Sequence, residues 1–393
     1  MTDSRAEQEH EYERIPYLIR FVEKSAFKDT YAGEIDRVVL EAHLLRAKGV
    51  KSKTAVIFMH PIGGGQYLPL PLAIARTGVD VIVCSSRYRG IDYSLIMEKV
   101  ALDLGACVRD AKERLGYEKV LLGGWSGGGS LSLFYQAEAE DPRVRCTPAQ
   151  EPPDLTAAGL IPADGVMLLA AHLSRNLTLT EWLDASIIDE HDPSRRDRSL
   201  DLYDPQGPQP PYDAQFVARY RAAQVERNRR ITAWVRGVLD DYRSKGLANQ
   251  ELSFVVQGTM ADPRWLDPAL DANDRKPRWC FLGEPRIVNS SPIGLARFCS
   301  LRSWLSQWSY DESNANGPKC ASRLGVPVLI VANSADDGVS PSHNQMLFDA
   351  VRHKNKELVT IKGANHYYFN QPDKARESAL VCLDWMRRNR FVN

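Results

Sequence analysis

The chain has 393 residues, with 50 Lys and Arg against 50 Asp and Glu, so its formal net charge is zero. Hydrophobic residues make up 44% and charged residues 25%, which supports a sizeable core and excludes a disordered polymer. Balanced charge removes the electrostatic case for nucleic acid or a membrane surface, and no apolar run nears the roughly 20 residues that cross a bilayer.

At roughly 150 residues per domain the length fits one large unit with an insertion, or two to three modules. Residues 1–14 are polar and acidic with no apolar stretch, so they read as a flexible lead and not as a signal peptide. Seven scattered cysteines, odd in number and without a CxxC, fit free thiols in a reducing compartment, and the location expected is cytoplasmic. From Ile15 to about Lys48, alternating and β-branched residues predict antiparallel edge strands. Short apolar runs then follow at 54–60, 79–86, 119–125, 165–172 and 326–333, and a last strand at 358–363. Rich in Val, Ile and Leu, most of them read as parallel strands buried on both faces. Helical spacing at 94–115, 130–140 and 372–390 completes a strand–helix alternation, an α/β pattern with right-handed crossovers.

Between His172 and Val326 the alternation stops for a domain-sized interval. A helix-like stretch at 177–190, a proline-rich joint at 204–213 and a long helical run from Ala214 to Lys245 predict a helical insertion into one sheet.

The sharpest chemical signal is Gly124-Trp125-Ser126-Gly127-Gly128, after a buried strand and before a helix. A G-x-S-x-G there reads as a nucleophile elbow, a tight turn that lifts the serine Oγ above the sheet and opens the N–H of Gly127 toward an oxyanion. The bland alternative is a glycine-rich turn with an incidental serine. The glycines fit neither G-x-G-x-x-G nor a P-loop, which disfavours phosphate binding. His60-Pro61-Ile62-Gly63-Gly64-Gly65 ends an earlier strand, where the second oxyanion donor usually lies; Ile62 N–H is the first choice and Gly63 the alternative.

A serine needs a base to take its proton. Of the eight histidines, His366 falls last in chain order, just after the final strand, and His343 is its only serious rival; His60 and His172 end strands and read as structural. The acid that fixes the imidazole tautomer is sought at Asp336 or Asp337, directly after the strand 326–333; Asp336 is preferred, while Asp337 could cap the next helix.

In these residues the chain resembles an α/β-hydrolase-fold serine hydrolase of the esterase and lipase kind, with a large cap inserted after the sixth strand. The resemblance covers about residues 35–172 and 323–393. It implies a mostly parallel eight-stranded sheet flanked by helices, a core of 15–172 and 323–393, and a helical cap of 173–322. It further implies a triad of Ser126, Asp336 and His366, an oxyanion hole at Gly127 and Ile62, and no cofactor; a metal enzyme is disfavoured because no HExxH or clustered His/Asp spacing appears. Pro61 departs from the glycine of many relatives, and a serine nucleophile argues against the dehalogenase and epoxide-hydrolase branches.

Six of the eight tryptophans lie in the insertion, mostly as its own core, but an aromatic cap also suits a bulky apolar or aromatic substrate. Trp125 and Arg227 are candidate substrate contacts. Arg227 interrupts the apolar stripe Phe216, Tyr220, Ala223, Ile231, Trp234 and Val238; it either pairs with a carboxylate such as Glu190 or Asp184, or binds a substrate carboxylate. The expectation is hydrolysis of a carboxylic ester or lactone through an acyl-enzyme. Alternatives with the same residues are carbon–carbon (diketone) or amide hydrolysis, and a ligand-sensing receptor. The partner expected is a small-molecule substrate, not nucleic acid or membrane, and a homo-oligomer is compatible with the chain.

Overall fold

The computed structural model describes residues 9–28 and 33–393. Eight strands form the main sheet: β1 (Tyr12–Val22), β2 (Arg37–Ala47), β3 (Thr54–Phe58), β4 (Asp80–Cys84), β5 (Lys119–Ser126), β6 (Gly165–Ala171), and, beyond the short strands β7 (Ser253–Val255) and β8 (Phe298–Ser300), β9 (Val328–Asn333) and β10 (Lys356–Ile361). Their order is β1-β2-β4-β3-β5-β6-β9-β10. The antiparallel pairs are β1 with β2 and β2 with β4; the remaining neighbours run parallel. β3, β4, β6 and β9 are buried along their whole length, because helices cover both faces of the sheet. β1 begins at Tyr12, inside the stretch read as a lead, where it pairs with Ala47; residues 1–8 lie outside the described part.

One side of the sheet packs on α1 (Pro69–Arg76) and on the helix 372–388, through Leu70, Ile74, Ala379, Leu383 and Trp385. The other packs on α2 (Met97–Arg109) and α3 (Gly127–Glu140), through Leu104, Val108, Leu131 and Phe134. Strand order, parallel pairing and two helical layers together are the α/β-hydrolase fold.

Between β6 and β9 the chain runs through α4 (Arg175–Trp182), α5 (Ala214–Ser244), several short turns of helix and the antiparallel pair β7–β8. Asp213 starts α5 by accepting the Phe216 N–H at 2.7 Å, an N-cap. The buried face of α5 carries Tyr220, Arg227, Ile231, Val235 and Leu239 at three- and four-residue steps. Ile231, Val235 and Leu239 pack with Leu179, Trp304 and Trp308 into an apolar cluster of the segment's own. The helix-like stretch 177–190 stops earlier than its spacing predicts. Asp184 turns its own N–H to the Gly258 carbonyl at 2.8 Å and its carboxylate to the N–H and hydroxyl of Ser186, and these bonds replace the next helical turn. Among the described residues no helix is long and apolar enough to cross a membrane.

Candidate active site

Ser126 closes β5 with φ 52° and ψ −127°, a left-handed conformation rare for a residue with a side chain, and α3 starts at the next residue. The chain is crowded at this elbow: a Cβ on Gly124 would lie 2.7 Å from the Gly129 Cα, and one on Gly128 would lie 2.6 Å from the Met59 carbonyl oxygen. At these distances neither position has room for a side chain. His172 also donates its N–H to the Ser126 carbonyl at 3.0 Å.

Above the elbow, the Ser126 Oγ lies 3.0 Å from His366 Nε2, and His366 Nδ1 lies 2.9 Å from Asp336 Oδ2. The other carboxylate oxygen of Asp336 accepts the N–H groups of Gly338 and Val339, each at 2.8 Å, so the carboxylate is held at both ends. Burial by itself would lower the His366 pKa, but the charge and hydrogen bond of Asp336, with the charge of Asp337, outweigh it and raise the group above 6.5. Asp337 does not cap the following helix, Pro341–Ala350, whose N-cap residue is Ser340 and which has no side-chain cap. Burial, and then the charge of Asp336, push its own carboxyl up to about 6. Trp125 donates its indole N–H to the His366 carbonyl at 3.1 Å, and its ring lies 5.0 Å from the imidazole, so it braces the histidine. The arrangement can move a proton from Ser126 to His366 and hold the resulting imidazolium against Asp336.

The site is closed. Ser126 is 6% exposed and His366 2%. The Phe281 ring packs 6.1 Å from that of His366, and Trp182 packs 5.5 Å from that of His172. The inserted segment also grips the turn that carries Asp336. Asn273 donates to the Asp336 carbonyl at 2.9 Å, Trp265 Nε1–H to the Asp337 carbonyl at 2.9 Å, and Arg264 to the Ser340 hydroxyl at 2.8 Å.

One expectation changes, that of the second oxyanion donor, and two open alternatives close. Ile62 does not present a free N–H: it donates to His60 Nδ1 at 3.3 Å, and the alternative donor, Gly63, donates to the His60 carbonyl at 2.8 Å. His343, the rival base, lies away from the serine, with Nε2 2.8 Å from Glu181 Oε2. Arg227 is no substrate contact. Glu190 binds it through two nitrogens at 2.8 and 2.7 Å, and it donates to the carbonyls of Asp184, Gly258 and Gln257, a complete set of partners from its own segment.

Two further residues at the site do not read as functional in the sequence. Because Nδ1 of His60 accepts from Ile62, its proton sits on Nε2, and that nitrogen is 2.8 Å from where a Gly127 Cβ would stand. Burial, then the charges of Arg175 and His366, lower the His60 pKa to about 3, so the ring is neutral. Arg175 opens α4, three residues after His172. The one sequence signal for His60 is its place at the end of β3; for Arg175 there is none. Among the described residues no group of three or more His, Cys, Asp or Glu has a metal-binding arrangement.

No protein-family model matches the chain, and no curated protein matches it in sequence. Solved structures that are similar in fold include an alpha/beta hydrolase, GrgF, of Penicillium sp. sh18, at 12% identity over 95% of this chain and 98% of that one, with a TM-score of 0.49. Est1E of Butyrivibrio proteoclasticus is similar at 14% identity, over 89% of this chain and 96% of its own, with a TM-score of 0.46. A monoacylglycerol lipase of Paleococcus ferrophilus is similar at 18% identity, over 87% and 98%, with a TM-score of 0.43. At such identities a likeness speaks to fold alone, and the strand order already defines the α/β-hydrolase fold.

Proposed function

We propose that the protein is a serine hydrolase that cleaves a carboxylic ester or lactone of a small substrate through an acyl-enzyme. The observation that carries this reading is the pair of contacts at His366, to Ser126 at 3.0 Å and to Asp336 at 2.9 Å. His366 takes the Ser126 proton as Oγ attacks the carbonyl carbon, and then gives it to the departing alcohol. A water activated by the same nitrogen releases the acid.

The developing oxyanion meets the Gly127 N–H at the start of α3, where the helix dipole adds to the donor. The second donor in this reading is the Nε2–H of neutral His60. Ile62, the donor first expected, serves by fixing the His60 tautomer through its N–H. Residues 173–322 act as a cap. Trp182 and Phe281 pack on each other and against the His172 and His366 rings and favour a substrate with an apolar or aromatic part, which enters once they move aside. The test is hydrolysis of p-nitrophenyl esters of graded chain length by the wild type and Ser126→Ala. Turnover by the wild type alone supports serine catalysis; equal turnover by both overturns it.

A further inference from the structure

Arg175 is 7% exposed, yet it donates no hydrogen bond among the described residues, and its Nε is a buried donor without an acceptor. Its one ion pair is loose, 3.9 Å to Asp92, and its guanidinium lies over the Trp308 ring at 4.2 Å. Trp308 Nε1 is a second buried donor without an acceptor. Arg227 shows what a structural arginine looks like in this same segment, with a bidentate carboxylate and three carbonyls. An arginine buried and left this short of acceptors costs stability unless a ligand completes it.

Its surroundings place it beside the chemistry. His172, three residues earlier, packs its ring 5.7 Å from that of His366. Asp92 follows the turn whose Gly90 N–H donates to the Ile62 carbonyl at 2.9 Å, so the loop that carries Asp92 packs against the 60–65 loop. Arg175 is thus bracketed by the two elements that flank Ser126, and it is close enough to His60 and His172 for its charge to help hold both rings neutral.

We propose that Arg175 anchors a free carboxylate on the substrate, so that the enzyme acts on esters or lactones bearing a second, ionised acid group. The planar guanidinium fork matches a carboxylate in two parallel hydrogen bonds. A single cation with Asp92 alongside suits one negative charge better than the two of a phosphate monoester. This inference rests on the serine-hydrolase reading and deepens it.

The test compares p-nitrophenyl half-esters of glutaric, adipic and suberic acid with neutral p-nitrophenyl esters of matched chain length, in wild type, Arg175→Gln and Arg175→Lys. The quantity read is the ratio of kcat/KM for the acid ester to that for the neutral one. The wild type should prefer the half-ester at one chain length or more. Arg175→Gln should lower that ratio by on the order of 10²-fold, and Arg175→Lys should restore part of it. No preference in the wild type, or a ratio unmoved in Arg175→Gln, overturns the proposal.

A second measurement does not depend on turnover or on the folding of the Gln variant. Adipate should raise the Tm of Ser126→Ala and not that of Ser126→Ala carrying Arg175→Lys to the same extent. No rise with any of the three diacids overturns the carboxylate site, as does an equal rise with inorganic phosphate. A rise with diacids in an enzyme that turns over no ester keeps the site and overturns the hydrolase reading instead.

Discussion

Asp336 and Asp337 are adjacent carboxyls, and the structure separates what each should do when it is replaced by asparagine. In Asp336→Asn the two N–H groups of Gly338 and Val339, both at 2.8 Å from Oδ1, leave one satisfactory orientation for the amide. The amide oxygen must take their place as acceptor, which turns the NH₂ toward His366 Nδ1. Nδ1 must then accept, the imidazole proton moves to Nε2, and Nε2 can no longer receive the Ser126 proton. A wrong tautomer of this kind costs on the order of 10⁴ in kcat, equivalent to about 5.4 kcal/mol of barrier. Asp337 touches His366 only through its charge. With a pKa pushed up to about 6, that charge is present above pH 6 and helps raise the His366 pKa. The base acts unprotonated, so kcat/KM should rise with pH through the His366 pKa, above 6.5. In Asp337→Asn this limb should move to lower pH, with little loss at its plateau. The assay is kcat/KM for one p-nitrophenyl ester from pH 5 to 9 in the three proteins. Equal plateau losses for the two variants, or a limb in Asp337→Asn that moves to higher pH, would refute the reasoning.

Replacing His60 by Phe keeps a ring beside Gly127 but removes the Nε2–H donor; kcat should fall by roughly 10²–10³, with a smaller change in KM. A loss confined to KM in the same ester assay would count against the donor role. Arg227→Met leaves three carbonyls without their partner and Glu190 with Arg230 alone, at 3.3 Å, so urea unfolding should report a loss of about 3 kcal/mol. The acid-to-neutral ester ratio should not follow it; a lowered ratio would return Arg227 to the substrate. Gly128→Ala puts a Cβ 2.6 Å from the Met59 carbonyl, and the overlap should lower stability by about 1–3 kcal/mol and disturb the elbow; an unchanged Tm would show that the turn has slack.

Much of the fold is legible in the sequence because its signals are local. Strands buried on both faces must be apolar throughout, which is how β3, β4, β6 and β9 read. The Ser126 elbow is legible because a turn this crowded admits little but glycine around the serine. The placement of His366 and Asp336 follows from chain order along the sheet. What lies beyond reach depends on contacts between distant segments. In sequence Arg175 stands between Ser174 and Asn176 and Arg227 between Glu226 and Asn228, and neither setting shows which acceptors the guanidinium meets. They differ in whether residues 30 or more positions away bring acceptors to them, as Gln257, Gly258 and Glu190 do for Arg227. The His60 ring reads as structural because its role depends on how its loop packs against Gly127, 67 residues on. The end of α4 at Trp182 is hidden for the same reason, since the Gly258 carbonyl draws the Asp184 N–H out of the helix.

The most direct measurement is covalent. Wild-type protein is treated with a fluorophosphonate, and the modified peptide is located by mass spectrometry, with Ser126→Ala and Asp336→Asn treated in parallel. The account predicts one adduct per chain at Ser126, none in Ser126→Ala and much slower labelling of Asp336→Asn. An adduct at another residue, or labelling of Ser126→Ala at the wild-type rate, would contradict it.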